Sequence, residues 1–186
     1  MYRKEVNERS PLRVFERSIQ GGLGKGNVGV VMSRAGAGKT AFLVDIALDD
    51  LMQEHKVLHI NIDNPVEKVR EFYDEIFNDL AESQKLERRE RAHLIVERNR
   101  LIQTYGRDSF SMDKVKEGIA LAKEHMLFDP EVIILDGWPK FSEATDADIQ
   151  ELVDLAKGYN CELWVSARAR REDDRDARGI PTKISR

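Results

Sequence analysis

The sequence predicts an α/β fold of three layers, with helices on both faces of a mostly parallel sheet. Two observations carry this expectation. Short β-branched runs alternate with longer stretches whose apolar residues recur at helical spacing. One run, Val132-Ile133-Ile134-Leu135, is apolar at consecutive positions, which suits a strand buried on both faces. The 186 residues fit a single domain over 1–186, large enough to bury a core.

The elements follow in order. The stretch GGLGKGN, from Gly21 to Asn27, can only be turn or loop, and it leads into a first strand at Val28–Met32. Phe42, Leu43, Ile46, Ala47 and Leu51 share one face of a helix from about Lys39 to Gln53. VLHINI, Val57–Ile62, reads as the second strand. It ends at Asp63-Asn64-Pro65, where the proline suits an early helix position. Val66, Val69, Phe72, Ile76, Phe77 and Leu80 continue at helical spacing.

The stretch 82–107 differs. Its apolar residues thin to Leu94, Ile95, Leu101, Ile102 and Tyr105, while Glu87–Arg91 and His93–Glu97 sit at i,i+4. It is expected to be a charged helical insertion with one narrow buried stripe, either a protruding docking element or a solvated helix pair. Ser111 then opens a helix running to about Phe128, and the apolar strand that follows ends in Asp136. Thr145 or Asp146 caps a helix that Gly158 closes at its C′ position. Glu162–Ser166 is the last readable strand, and the rest of the chain is charged without an apolar run.

Composition excludes several classes. Lys and Arg number 30 against 34 Asp and Glu, a net charge of −4, so there is no general affinity for nucleic acid to expect. The single cysteine, Cys161, rules out an internal disulfide framework and a multi-cysteine zinc site. The four histidines show no ligand spacing. No apolar run approaches the roughly 18–20 residues that a membrane span needs. The N-terminal stretch is too charged for a signal-peptide core, so a cytoplasmic protein without a membrane partner is expected.

The most specific signal is Ser33-Arg34-Ala35-Gly36-Ala37-Gly38-Lys39-Thr40, which matches G-x-x-x-x-G-K-[ST] except that Ser33 replaces the first glycine. The glycines let successive backbone N–H groups turn inward as an anion nest, and the helix that follows points its positive end at the phosphates. Lys39 would reach the β- and γ-phosphates, and the Thr40 hydroxyl would ligate Mg²⁺. Ser33 through Thr40, with Ala41 in the first helical turn, are the candidate nucleotide-binding residues. A strand adjacent to the first would deliver Asp136 beside Thr40, where its carboxylate can hold Mg²⁺ through water.

The run GGLGKGNVGVVMSRAGAGKTAFLVDIALDDLMQEHKVLHINID resembles the RecA-like ATPases, most closely the KaiC, RadA and replicative-helicase branch. The GGL-x-x-G lead-in with the phosphate loop discriminates that branch, and the similarity covers about Gly21 to Ser166. It implies a RecA-like core that binds ATP and Mg²⁺. The family carries a catalytic glutamate at the end of the second strand, where this chain has Asp63, followed by Asn64. Asp63 keeps the carboxylate on a shorter arm, so slow hydrolysis is expected. The family has a polar sensor at the position of Ser166 and Ala167, and basic residues after the last strand that act on a neighbouring subunit's nucleotide. Arg168 and Arg170 are the candidates here, ahead of Arg171, which implies a homo-oligomer. The family's sheet continues with a further strand that is not readable before Arg186.

The leading functional expectation is therefore an ATP-dependent motor or switch, with ATP or ADP as ligand. A non-hydrolysing nucleotide-dependent scaffold or regulator, working with a protein partner, is the alternative. A small-molecule kinase ranks third, because 27 residues and the GGL-x-x-G lead-in precede the first strand. No N-K-x-D tetrapeptide is present to read guanine. Nucleic acid is only weakly supported as a partner, since the loops after Asp136 and Ser166 are short or charge-balanced.

Overall fold

A computed structural model describes residues 22–83, 85–138 and 144–168. The elements are β1 (Val28–Ser33), α1 (Lys39–Met52), β2 (Val57–Ile62), α2 (Val66–Ser83) and α3 (Arg89–Asn99), then β3 (Arg100–Tyr105), α4 (Met112–Met126), β4 (Val132–Asp136), α5 (Asp146–Gly158) and β5 (Glu162–Arg168). The strands form one sheet in the order β1-β5-β4-β2-β3, and every pairing is parallel.

The alternation of side chains across each strand divides the core in two. Leu58, Ile60, Ile133, Leu135, Leu163 and Val165 meet α4 and α5 on one face. Val57, Val132, Ile134 and Trp164 meet α1, α2 and α3 on the other. Three helical and sheet layers result. β2 and β4 are buried along their whole length, as a strand with helices on both faces must be, whereas the edge strands β1 and β3 are mostly half-buried. Close layering has a local requirement at Gly29 of β1. A Cβ there would lie 2.5 Å from the ring of Trp164 on the neighbouring strand, so only glycine lets the indole lie flat against β1.

Connections that step toward β3 carry α1, α2 and α3 on one face, and those that return toward β1 carry α4 and α5 on the other, as right-handed crossovers require. The chain therefore leaves the ends of β2 and β4 in opposite directions. In open α/β sheets such a reversal marks the carboxyl edge as the place where ligands bind.

Four expectations are corrected. The stretch 82–107 is not helical throughout: α3 ends at Asn99, and Arg100–Tyr105 is a full edge strand. Leu101 and Ile102 repeat after Leu94 and Ile95 like a helical stripe, but the open edge of β2 offers a ladder of hydrogen bonds that the local pattern does not announce. Nor does it protrude, since Val96 and Ala92 pack against the α1–α2 core. Gly158 is the last residue of α5, not its C′ residue, and the left-handed turn falls on Asn160 (φ 50°). β5 continues two residues past Ser166, because Met32 and Ser33 of β1 pair with Ala167 and Arg168. Finally, β4 is not adjacent to β1, since β5 lies between them. The caps of the later helices are as expected: Ser111 accepts from the Lys114 N–H, and Thr145 forms a capping box with Asp148.

Candidate functional site at the carboxyl edge

Ser33 ends β1, and residues 34–37 turn the chain into α1, whose N-cap is Gly38. Gly36 (φ 74°) and Gly38 (φ 85°) both adopt the left-handed backbone that turns N–H groups inward, and neither would meet an atom within 4 Å of an added Cβ. Glycine is thus required here for backbone conformation, not for space. Gly38 brings no side chain to cap α1, so the helix presents its N-terminal N–H groups toward the loop. Ser33, in place of a glycine, turns its hydroxyl onto the Arg34 carbonyl at 3.3 Å. Arg34, Ala35 and Ala37 are exposed, while Ala41 is half-buried in the first turn of α1.

Lys39 folds over the loop and donates to the carbonyls of Ser33 (3.2 Å) and Arg34 (3.0 Å). Partial burial holds its ammonium below the ordinary lysine range. Arg168 pushes the same way, against the pull of Asp136. Arg168 itself is exposed, at the end of β5 and in register with Ser33, so it stands beside the glycine-rich loop of its own chain. Arg170 lies outside the described residues, as does Arg171.

Asp136 reaches Thr40 although a strand separates β4 from β1. The Thr40 hydroxyl donates to Asp136 Oδ2 at 2.7 Å, across 96 residues of sequence. Asp136 is only 5% exposed. The turn after it is held by Ser166, whose hydroxyl accepts from the Gly137 N–H at 2.7 Å. A hydroxyl and a carboxylate in contact make an all-oxygen donor set, the type that a hard divalent cation such as Mg²⁺ takes. The residues present therefore fit the cation expected there.

Asp63 follows β2 at the same edge, with a left-handed backbone (φ 81°). Its carboxylate is engaged by Arg107: Oδ1 accepts the main-chain N–H at 2.8 Å and Oδ2 the guanidinium Nε at 2.6 Å. The structure thus brings Lys39, Thr40 and Asp136 together, and pairs Asp63 with a different partner.

Two residues of this edge escape sequence reasoning: Asn61 and Arg107. Asn61 is 1% exposed, lies in register with Asp136 and donates to its Oδ2 at 3.3 Å. Its Oδ1 accepts from both the main chain and the side chain of Asn64, at 3.0 and 3.1 Å. The one legible signal was the spacing of His59 and Asn61, two polar residues on the same face of an otherwise apolar strand. Away from this edge, Asp74, His93 and Glu97 place ligand atoms within 4.8 Å of one another. Glu97 there is already paired with Arg70 and Arg100, whose positive charges oppose a cation, so the group acts as an ion-pair network joining α2, α3 and β3.

Compared with protein-family models and with curated proteins, the chain matches none of either. Among the described residues, no helix is long and apolar enough to cross a membrane.

Proposed function

We propose that the chain binds Mg·ATP as a RecA-like P-loop protein and works as a nucleotide-dependent motor or switch with slow hydrolysis. One observation carries the reading: the Thr40 hydroxyl meets the Asp136 carboxylate in the first turn of a helix whose N-terminus is uncapped and which follows a loop with two left-handed glycines. Each part has a task toward a nucleotide. The loop N–H groups and the α1 dipole attract phosphate oxygens, and Lys39, now on loop carbonyls, has phosphate oxygens as better acceptors. Thr40 and Asp136 would hold Mg²⁺, whose charge neutralises the phosphates. The choice of ATP and of the RecA-like branch rests on the GGL-x-x-G lead-in, which docks on β5 through the Gly24 N–H to Glu162 and the Gly26 N–H to the Cys161 carbonyl.

The test is calorimetry with Mg·ATP on the wild type and on Lys39→Ala. Losing one charge-assisted phosphate contact is expected to cost about 1.5–3 kcal/mol of binding. Equal affinities would overturn the reading. The homo-oligomer implied by the resemblance belongs to this proposal, with Arg170 completing a neighbour's site and Arg168, which stands beside its own chain's loop, acting within its own subunit. A strictly monomeric protein whose specific activity is independent of concentration would remove that part.

The second reading, a nucleotide-dependent regulator that does not hydrolyse, is favoured by the Asp63–Arg107 pair, which occupies the carboxylate expected to act on water. Phosphate release under saturating Mg·ATP decides between the two.

A further inference from the structure

We propose that Asn61 is the positioning residue of the metal site, holding Asp136 toward Thr40 with one end of its amide and anchoring the Asp63-Asn64-Pro65 turn with the other. The inference rests on reading the phosphate-loop edge as a Mg·nucleotide site and adds a residue to it.

The orientation of the Asn61 amide follows from its partners. The main-chain N–H of Asn64 can only donate, so the atom facing it at 3.0 Å must be the amide oxygen. The amide nitrogen then faces Asp136 Oδ2 at 3.3 Å, and an ionised carboxylate can only accept. Both contacts are satisfied by one arrangement alone. Thr40, in the first turn of α1, donates to the same carboxylate oxygen, so Oδ2 accepts from two neutral donors on different elements. Neutral donors fix a carboxylate without cancelling its charge, which a cation ligand requires.

Residue type and burial support a dedicated role. Asn61 is 1% exposed in a strand whose every residue is buried, where an apolar side chain would otherwise be favoured. Among short side chains only an amide offers a donor and an acceptor in opposite directions. A serine would be too short to span both partners, and an aspartate would lack the donor. Asn61 thereby links three things at the carboxyl edge: the P-loop helix through Thr40 and Asp136, β4, and the turn that carries Asp63. A shift of Asp136 when Thr40 turns to a cation is transmitted to that turn through one side chain.

Two variants separate the two ends of the amide. Asn61→Asp keeps the acceptor for the Asn64 N–H but faces Asp136 with a like charge and no donor. Asn61→Ala removes both contacts without adding charge. Nucleotide affinity is read with Mg²⁺ and with EDTA, folding by thermal unfolding, and hydrogen exchange of the Asn64 amide is followed in ligand-free protein. Either variant is expected to raise the Mg²⁺ concentration for half-maximal ATP binding by 10- to 100-fold, with EDTA affinity unchanged. Exchange at Asn64 should quicken in Asn61→Ala and stay slow in Asn61→Asp. A folded variant of either kind with the wild-type Mg²⁺ requirement overturns the proposal, as does unchanged Asn64 exchange in Asn61→Ala. Because Asn61→Ala introduces no charge, it decides the matter should Asn61→Asp fail to fold. Wild-type protein that binds ATP equally with and without Mg²⁺ overturns the metal-site reading itself, and this shows before any variant is made.

Discussion

Asp136 and Asp63 end adjacent strands at the same edge of the sheet, yet their surroundings are opposite. Asp136 is buried and accepts from two neutral donors, the Thr40 hydroxyl and the Asn61 amide. Asp63 is exposed, stands on a left-handed backbone, and is gripped by the Arg107 guanidinium and main-chain N–H. Neutral donors orient a carboxylate and leave its charge for a cation. A guanidinium orients it and cancels the charge. Residue type and sheet edge are therefore the same, while the available chemistry differs.

The largest expected effect breaks the Asp136 side. Asp136→Ala should abolish the Mg²⁺ dependence of nucleotide binding and, by stranding the Thr40 and Asn61 donors, cost about 1–3 kcal/mol of stability. Asp63→Ala should leave the Mg²⁺ dependence intact. Calorimetry with and without Mg²⁺, beside denaturant unfolding, reads both. If both variants lost the Mg²⁺ dependence alike, the distinction between the two carboxylates would fail.

The buried side also carries a pH signature. His59 lies two residues before Asn61, donates to or accepts from the Tyr73 hydroxyl at 3.0 Å, and is fully buried. Burial pulls its imidazole down to about 4, against the pull of Asp136. The folded protein thus keeps it neutral where the unfolded chain, with an ordinary value of about 6.5, is protonated. Its contribution is complete above pH 6.5 and is lost as pH falls through about 4, on the order of 3 kcal/mol in all. Asp50 works the other way: burial pushes its carboxyl up to about 6, so its contribution is lost as pH rises through that value. The difference between wild type and His59→Gln isolates the histidine. Identical pH dependence of unfolding in the two would exclude His59 as its source.

Asp63 allows a finer test of backbone against pairing. Asp63→Gly and Asp63→Ala both remove the carboxylate, but only glycine relieves the left-handed conformation. Glycine is expected to be the more stable by about 1 kcal/mol in chemical denaturation. A more stable alanine variant would mean that the turn relaxes once Arg107 is released.

Arg107→Ala should have the smallest effect on stability, below about 1 kcal/mol, since both partners of the pair are well exposed. Its value lies in turnover: releasing Asp63 should raise phosphate release severalfold. Unchanged turnover would take Asp63 out of the reaction.

Local sequence was enough for the glycine-rich loop before α1, because its geometry is backbone geometry. Gly36 and Gly38 specify left-handed turns, Lys39 and Thr40 follow at fixed offsets, and no distant residue is needed to form the nest. The alternation of strands and helices likewise determined the α/β class, and the run Val132–Leu135 the burial of β4 on both faces. Tertiary structure alone decided the neighbours. That 100–105 is a strand depends on the free edge of β2, and that β5 separates β1 from β4 depends on the order in which crossovers fill the sheet. Asp63 and Asp136 read alike along the chain, as acidic ends of apolar strands. Arg107 came to one and Asn61 to the other only when β3 and β4 settled on either side of β2, because what a side chain can do is set by what packs beside it in space.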